Sequence, residues 1–126
     1  MTPRPRHHKA AFTLIEIMIV VAIIGLLAVI ALPSMIKARK QSQARRVLND
    51  ARQMDSAVDQ WAIDYNKKDG DAIDTAGAAS YLKTSWKPND VLNHAYGINS
   101  VGPTQINVAT TTKTALSGVG VDWGIY

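Results

Sequence analysis

The sequence predicts an α+β protein: one long N-terminal helix, membrane-spanning then amphipathic, carrying a small head with an antiparallel β-sheet. Three observations predict it. An apolar run fills residues 12–32. Apolar residues then recur at steps of three and four to about residue 66, the spacing of a helix with one buried face. The remaining sixty or so residues break into short strand-like pieces between glycines, prolines and asparagines.

At 126 residues the chain holds one domain rather than two. Hydrophobic residues make up 47% and charged residues 19%, which excludes a disordered or collagen-like chain. The absence of cysteine excludes a disulfide framework, thiolate metal sites and cysteine catalysis.

Charge is sorted along the chain. Residues 1–11, MTPRPRHHKAA, carry Arg4, Arg6 and Lys9 and no acid. Residues 37–52 are basic again, with Lys37, Arg39, Lys40, Arg45, Arg46 and Arg52 against Asp50 alone. From residue 53 onward five lysines face eight aspartates. Removing residues 1–11 leaves eleven cations against ten acids, so the formal charge of +4 is mostly leader. No nucleic-acid partner is expected from it.

As a helix, the 21 residues from Phe12 to Leu32 would span roughly 30 Å, the thickness of a bilayer core. Positive charge on the short N-terminal side predicts that this end stays cytoplasmic. The basic cluster at 37–52 opposes that orientation; N-in is favoured because only the C-terminal side has a foldable domain. A cleaved secretory signal fits poorly: its apolar run is usually about 7–15 residues, and no A-x-A site lies in Pro33–Ala38. A plain signal anchor accounts for everything except Glu16. An acid at the centre of such a helix costs on the order of 2.5–3.5 kcal/mol, and less near its end. No lysine or arginine lies between Lys9 and Lys37 to serve as its partner.

The residues around it read A-A-F-T-L-I-E, then an apolar run closed by Pro33. This segment resembles the type IV prepilin and type II secretion pseudopilin family, whose signature is a short basic leader, a small residue, then Phe-Thr-Leu-Ile-Glu. Phe12-Thr13-Leu14-Ile15-Glu16 matches the core motif at every position, and the resemblance covers about residues 4–66. It implies a leader over residues 1–11, removed between Ala11 and Phe12 by a membrane aspartyl prepilin peptidase, and N-methylation of the new Phe12 amine. Ala11 departs from the family's usual glycine before the cut.

Cleavage would supply the missing cation. A free α-amine has a reference pKa of about 7.7–8.0 and is largely protonated. Two unit charges 4 Å apart at an effective dielectric of 20 attract by about 4 kcal/mol, comparable with the cost of inserting the acid. Glu16 can meet that amine within its own chain or, as the resemblance implies, on a neighbouring chain. The second arrangement makes Glu16 a registration residue for assembly, since a buried charge pair fixes register better than it adds stability.

The long helix divides into a membrane or filament-core part, residues 12–33, and an amphipathic part, residues 34–66. Together they would reach about 80 Å. Ala44, Val47, Leu48, Ala51, Met54, Ala57 or Val58, Trp61, Ala62 and Tyr65 form the apolar stripe. Gly25 and Pro33 weaken the helix, and Pro33 crowds the Val29 carbonyl, so a bend is expected there. The resemblance adds partial melting between Gly25 and Pro33 in a fibre; an ordinary proline kink is the alternative. Lys67 and Lys68 in the last turn and Gly70 beyond it end the helix.

Residues 67–126 form the head. Thr75 is expected to cap a helix over about 76–83, and strands are expected at Ala95–Asn99, Gln105–Thr110 and Val119–Tyr126. Ile106 and Val108 should share one face, with Trp61, Trp86 and Trp123 in the core. A head this small without a disulfide should depend on docking against the helix.

Asp69, Asp71 and Asp74 are a candidate calcium loop, but their spacing departs from an EF-hand and no bidentate glutamate follows. The resemblance implies calcium in a C-terminal loop, where this chain offers Asp122 and, earlier, Asp90. His94 is the lone histidine beyond the leader and is expected to pack rather than to bind metal. With one glutamate and no phosphate loop or nucleophile motif, there is too little for an active site, and no enzyme is expected.

The short, cysteine-free head is most similar to that of a major type II secretion pseudopilin, with a surface pilin (adhesion, motility or DNA uptake) as the alternative and a membrane-tethered binding module as the third reading. The resemblance implies a homopolymer that takes in other pseudopilins or pilins. It further implies a prepilin peptidase, an inner-membrane assembly platform driven by a cytoplasmic ATPase, and surrounding lipid as partners.

Overall fold

In a computed structural model of the protein, residues 11–126 are described, and the expectations for residues 1–10 lie outside them. Helix α1 runs from Leu14 to Asp64, followed by α2 (Thr75–Ala79), β1 (Gly97–Ile98), β2 (Ile106–Asn107) and α3 (Thr110–Ala115). The chain divides into two units, up to Ile36 and Lys37–Tyr126.

In the first unit every large hydrophobic side chain from Phe12 to Ile36 is at least half exposed. A helix that is apolar on all sides needs an apolar surrounding, and this one is long and apolar enough to cross a membrane.

In the second unit α1 buries one face. Ala44, Val47, Leu48, Ala51, Met54, Ala57, Val58, Trp61 and Ala62 are all within the core, the stripe that the spacing predicts. Tyr65 differs: it is 63% exposed because the helix has already ended. Asn66 takes a left-handed conformation (φ 49°). Its amide donates to the Ile63 carbonyl at 3.2 Å, and the Lys67 amide donates to Ala62 at 2.8 Å. This pair of bonds satisfies two of the last carbonyls, with asparagine at the position where glycine is commoner. The stop is therefore Asn66 rather than Gly70, and Lys67 lies beyond the helix, its ammonium 5.6 Å from the Trp61 ring centroid.

Helix α2 is shorter than expected, and its cap is Asp74, not Thr75: the Asp74 carboxylate accepts from the Ala76 amide at 3.0 Å. Past Ala79 the chain tightens into three-residue turns through Leu82. The sheet is a two-stranded antiparallel ladder pairing Gly97 with Asn107 and Ile98 with Ile106, extended by isolated bridges at Ala72–Ser100 and Asn89–Ala95. Ile106 and Val108 are both buried, as expected of one face. The second expected strand stops early, because Thr110–Ala115 turns into α3. The third does not form. Gly118, Gly120 and Gly124 adopt positive φ angles of 75°, 69° and 56°, which break an extended run. Trp61 lies in the core, while Trp86 and Trp123 are half-buried against it.

Candidate functional site

The start of α1 is built by two residues. The Thr13 amide donates to Glu16 Oε2 at 2.8 Å, and the Thr13 hydroxyl donates to the same oxygen at 3.1 Å. In return the Glu16 amide approaches Thr13 Oγ1 at 3.3 Å. This is a reciprocal capping box, in which two helix-start amides that would lack partners are satisfied by side chains. Glu16 has no cationic partner among the described residues, but the neutral donors of Thr13 hold it. Thr13-x-x-Glu16 carried that signal.

Ala11 and Phe12 precede the cap outside any regular element, and Phe12 is 82% exposed. The Phe12 nitrogen lies one residue before the Thr13 amide, within about 3.8 Å of chain. Cleavage ahead of Phe12 would therefore create its cation beside the carboxylate that Thr13 already holds. The α-helix continues through Gly25 and Pro33. Nothing lies within 4 Å of where a Gly25 side chain would start, and the Ser34 hydroxyl donates to the Ala31 carbonyl at 2.8 Å.

In the second unit the polar groups serve the fold. Asp50, 7% exposed, accepts from Lys87 Nζ at 2.6 Å. Nearby, burial and the charges of Asp50 and Asp90 push the Tyr96 phenol well above its ordinary range. The Asp90 side chain is 1% exposed and accepts from the Leu92 and His94 amides and from the Thr112 hydroxyl. Thr112 spends its single proton there, so His94 Nδ1 is the donor in its 2.7 Å contact with Thr112 Oγ1. These are the residue types of a hydrolase triad, but the hydroxyl is fully buried and serves the carboxylate instead of the imidazole. The arrangement ties α3 to the 88–95 loop.

Of the residues considered for calcium, Asp74 caps α2 and Asp71 accepts from the Lys68 amide. Asp90 is consumed internally, and Asp122 accepts from the Gly124 amide. Among the described residues no three histidine or carboxylate groups converge as metal ligands. The exposed side of α1 carries Arg45, Arg46 and Arg52, and none of them is in an ion pair among the described residues.

Residues 6–32 match the family model described as the prokaryotic N-terminal methylation motif. The chain is 48% identical over 61 residues to the type IV major fimbrial protein FimA of Dichelobacter nodosus. That match covers 48% of this chain and 38% of FimA, so the chain spans well under half of that relative. It is 31% identical over 86 residues to the competence protein ComGC of Halalkalibacterium halodurans, covering 68% of this chain and 83% of ComGC. It is 30% identical over 61 residues to the type II secretion system core protein G of Pectobacterium carotovorum, covering 48% and 39% respectively. No solved structure matches it significantly.

Proposed function

Because the chain belongs to the type IV pilin-like family that carries the N-terminal methylation motif, we propose that it is a filament subunit made competent by removal of residues 1–11. The observation that carries this reading is the Glu16 carboxylate held beside the Ala11–Phe12 junction at the head of an exposed apolar helix. A prepilin peptidase cuts that junction and methylates the Phe12 amine. The freed cation then meets Glu16 of a neighbouring copy and sets the axial register. Apolar helices from neighbouring copies bury the faces that stand open from Phe12 to Ile36, and Gly25 and Pro33 give the helix its adjustable segment.

Before assembly the subunit lies in the inner membrane, with its N-terminus cytoplasmic and residues 37–126 on the periplasmic side. Growth takes place on a membrane platform, with homologous subunits also incorporated. The finer reading is a type II secretion pseudopilin that supports protein export, favoured by the short cysteine-free head and the similarity to core protein G. A pilin of a surface fibre is the second reading, favoured by the similarity to the type IV major fimbrial protein FimA. Neither role involves catalysis.

Mass spectrometry of the mature chain and cross-linking of intact cells test the proposal together. The mature protein should begin at Phe12 with a methylated amine. Glu16→Gln should still be cleaved but should lower cross-linked multimers about tenfold or more, given the size of the lost attraction. A chain that keeps its leader, or a Glu16→Gln variant that assembles normally, overturns it. Deleting the gene separates the two roles: exported proteins accumulate in the periplasm for a pseudopilin, whereas only surface fibres vanish for a pilin.

A further inference from the structure

Directly after the apolar run α1 carries five cations in ten residues: Lys37, Arg39, Lys40, Arg45 and Arg46. All five are exposed, and none is in an ion pair among the described residues. No acid lies between Glu16 and Asp50, and Asp50 is taken by Lys87. The proposed orientation puts these charges on the exported side, where the positive-inside rule leaves cations scarce.

Their arrangement around the helix points to a partner. At about 100° per residue, Arg45 lies about 80° round from Lys37, Arg46 about 180°, Arg39 about 200° and Lys40 about 300°. No gap exceeds about 100°. The buried row of Ala44, Val47, Ala51 and Val58 keeps instead to an arc of about 60°. The core thus takes one side of α1, while the cations form a collar on every side. A nucleic acid or protein laid along one face would meet Arg39 and Arg46 and leave the other three unused. Headgroups around a spanning helix meet all five.

The spacing along the axis agrees. Large apolar side chains stay exposed as far as Ile36, and Lys37, Arg39 and Lys40 follow within about 1.5–6 Å. The headgroup layer is about 5–7 Å thick on each side of a bilayer. Arg45 and Arg46 lie about 13–15 Å past Ile36. Helix side chains lean toward the helix N-terminus, however, and long basic ones extend their charge to the interface.

We propose that this collar binds the headgroups of anionic phospholipids in the leaflet from which residues 37–126 emerge. The inference rests on the membrane placement proposed above and names the lipid class that holds the subunit there before assembly. Each such cation contributes about a fivefold preference for an anionic surface.

The full-length chain is reconstituted in phosphatidylcholine nanodiscs doped with spin-labelled phosphatidylglycerol or spin-labelled phosphatidylcholine. Electron paramagnetic resonance measures the lipid held at the protein. Every chain carries Arg4→Gln, Arg6→Gln and Lys9→Gln, which removes the leader's own attraction. Phosphatidylglycerol should be held about fivefold more tightly than phosphatidylcholine. The preference should shrink in about 1 M salt, where the Debye length is about 3 Å. Changing all five cations to glutamine should abolish it, whereas Arg39→Lys with Arg45→Lys and Arg46→Lys should keep it. Arg39→Gln with Arg46→Gln, and separately Lys37→Gln with Lys40→Gln, should each remove part.

Equal retention of the two lipids, or a preference that survives all five glutamines, overturns the inference. So does a loss confined to one of the two pairs, which assigns the cations to a partner on one face. A preference that millimolar inorganic phosphate removes at constant ionic strength also overturns it and assigns the collar to a soluble anion. An inserted chain without lipid preference strikes only the collar and leaves the filament reading to its own test; a chain that does not enter the bilayer overturns both.

Discussion

Thr13 and Glu16 hold each other at the start of α1: the Thr13 amide lies 2.8 Å from Glu16 Oε2, and the Glu16 amide 3.3 Å from Thr13 Oγ1. The acid inside the apolar segment is thus satisfied before any cleavage. In the proposed assembly, pairing with a neighbour's amine would have to compete with this cap and exchange one partner of Glu16 for another. A helix cap of this kind contributes typically about 1 kcal/mol.

Thr13→Val keeps the shape of the side chain and removes both hydroxyl bonds. Amides in the first turn of α1 should then exchange with deuterium about fivefold faster, the factor that corresponds to about 1 kcal/mol. Hydrogen exchange of the full chain in detergent measures it, with the amides of α3 as an internal control that should not change. Unchanged first-turn exchange would show that the cap contributes nothing.

Gly77 is required by close approach. A side-chain carbon there would lie 2.7 Å from Trp61 Nε1 and 2.8 Å from Asp74 Oδ2. Trp61 is buried and cannot swing aside, and Asp74 caps the same short helix. Gly77→Ala should therefore destabilise the protein by about 1–3 kcal/mol through overpacking, despite alanine's better helix propensity. Gly25→Ala meets open space and should instead strengthen the isolated helix by up to about 1 kcal/mol. Thermal melts followed by near-ultraviolet dichroism of the tryptophans measure Gly77→Ala, and far-ultraviolet helix content of the full chain in detergent measures Gly25→Ala.

The contrast between α1 and the head shows what periodicity does and does not carry. The buried positions from Ala44 to Ala62 were legible because a helix with one buried face repeats its apolar residues at fixed steps. Its end was less legible, since asparagine and glycine both tolerate the left-handed turn and Asn66 comes first. In the head, Thr110–Thr112 resembles strand by its β-branched residues. It becomes α3 because the Thr112 hydroxyl is claimed by Asp90 and His94, a contact across eighteen or more residues that no local pattern contains. Val119–Tyr126 alternates like a strand, but the left-handed glycines at 120 and 124, with Gly118 just before them, decide against it. At the N-terminal end Glu16 stands out as an acid in an apolar run, and Phe12 through the family resemblance. The role of Thr13 is equally present in the T-x-x-E spacing.

The Asp50–Lys87 pair spans thirty-seven residues and ties the 87–96 loop to α1 at 2.6 Å. Lys87→Met leaves a buried carboxylate uncompensated. The full cost of such a loss is about 3–5 kcal/mol, and the partly exposed lysine reduces it to about 2–3 kcal/mol. Adding Asp50→Asn should recover part of that loss, because the stranded charge is gone. Urea denaturation of the full chain in detergent, read by tryptophan fluorescence, gives the cycle; a double variant weaker than Lys87→Met alone contradicts it.

Asp55 gives the protein a pH dependence of unusual sign. Burial holds its carboxyl above the ordinary 3.8, with Asp59 adding to the effect, while the Tyr126 hydroxyl, donating at 3.1 Å, and Gln105 oppose it. A raised carboxyl binds its proton more tightly in the folded state than in the unfolded one. Its contribution is therefore fully present below about pH 3.8 and is lost as pH rises through the folded value. Other carboxylates will tilt the whole curve, so the quantity to measure is wild type minus Asp55→Asn, from melting temperatures between about pH 3 and 7. That difference should fall as pH rises and level off once Asp55 is ionised. A difference that climbs with pH would mean that Tyr126 and Gln105 outweigh burial, and that the Asp55 carboxylate is stabilised by its surroundings.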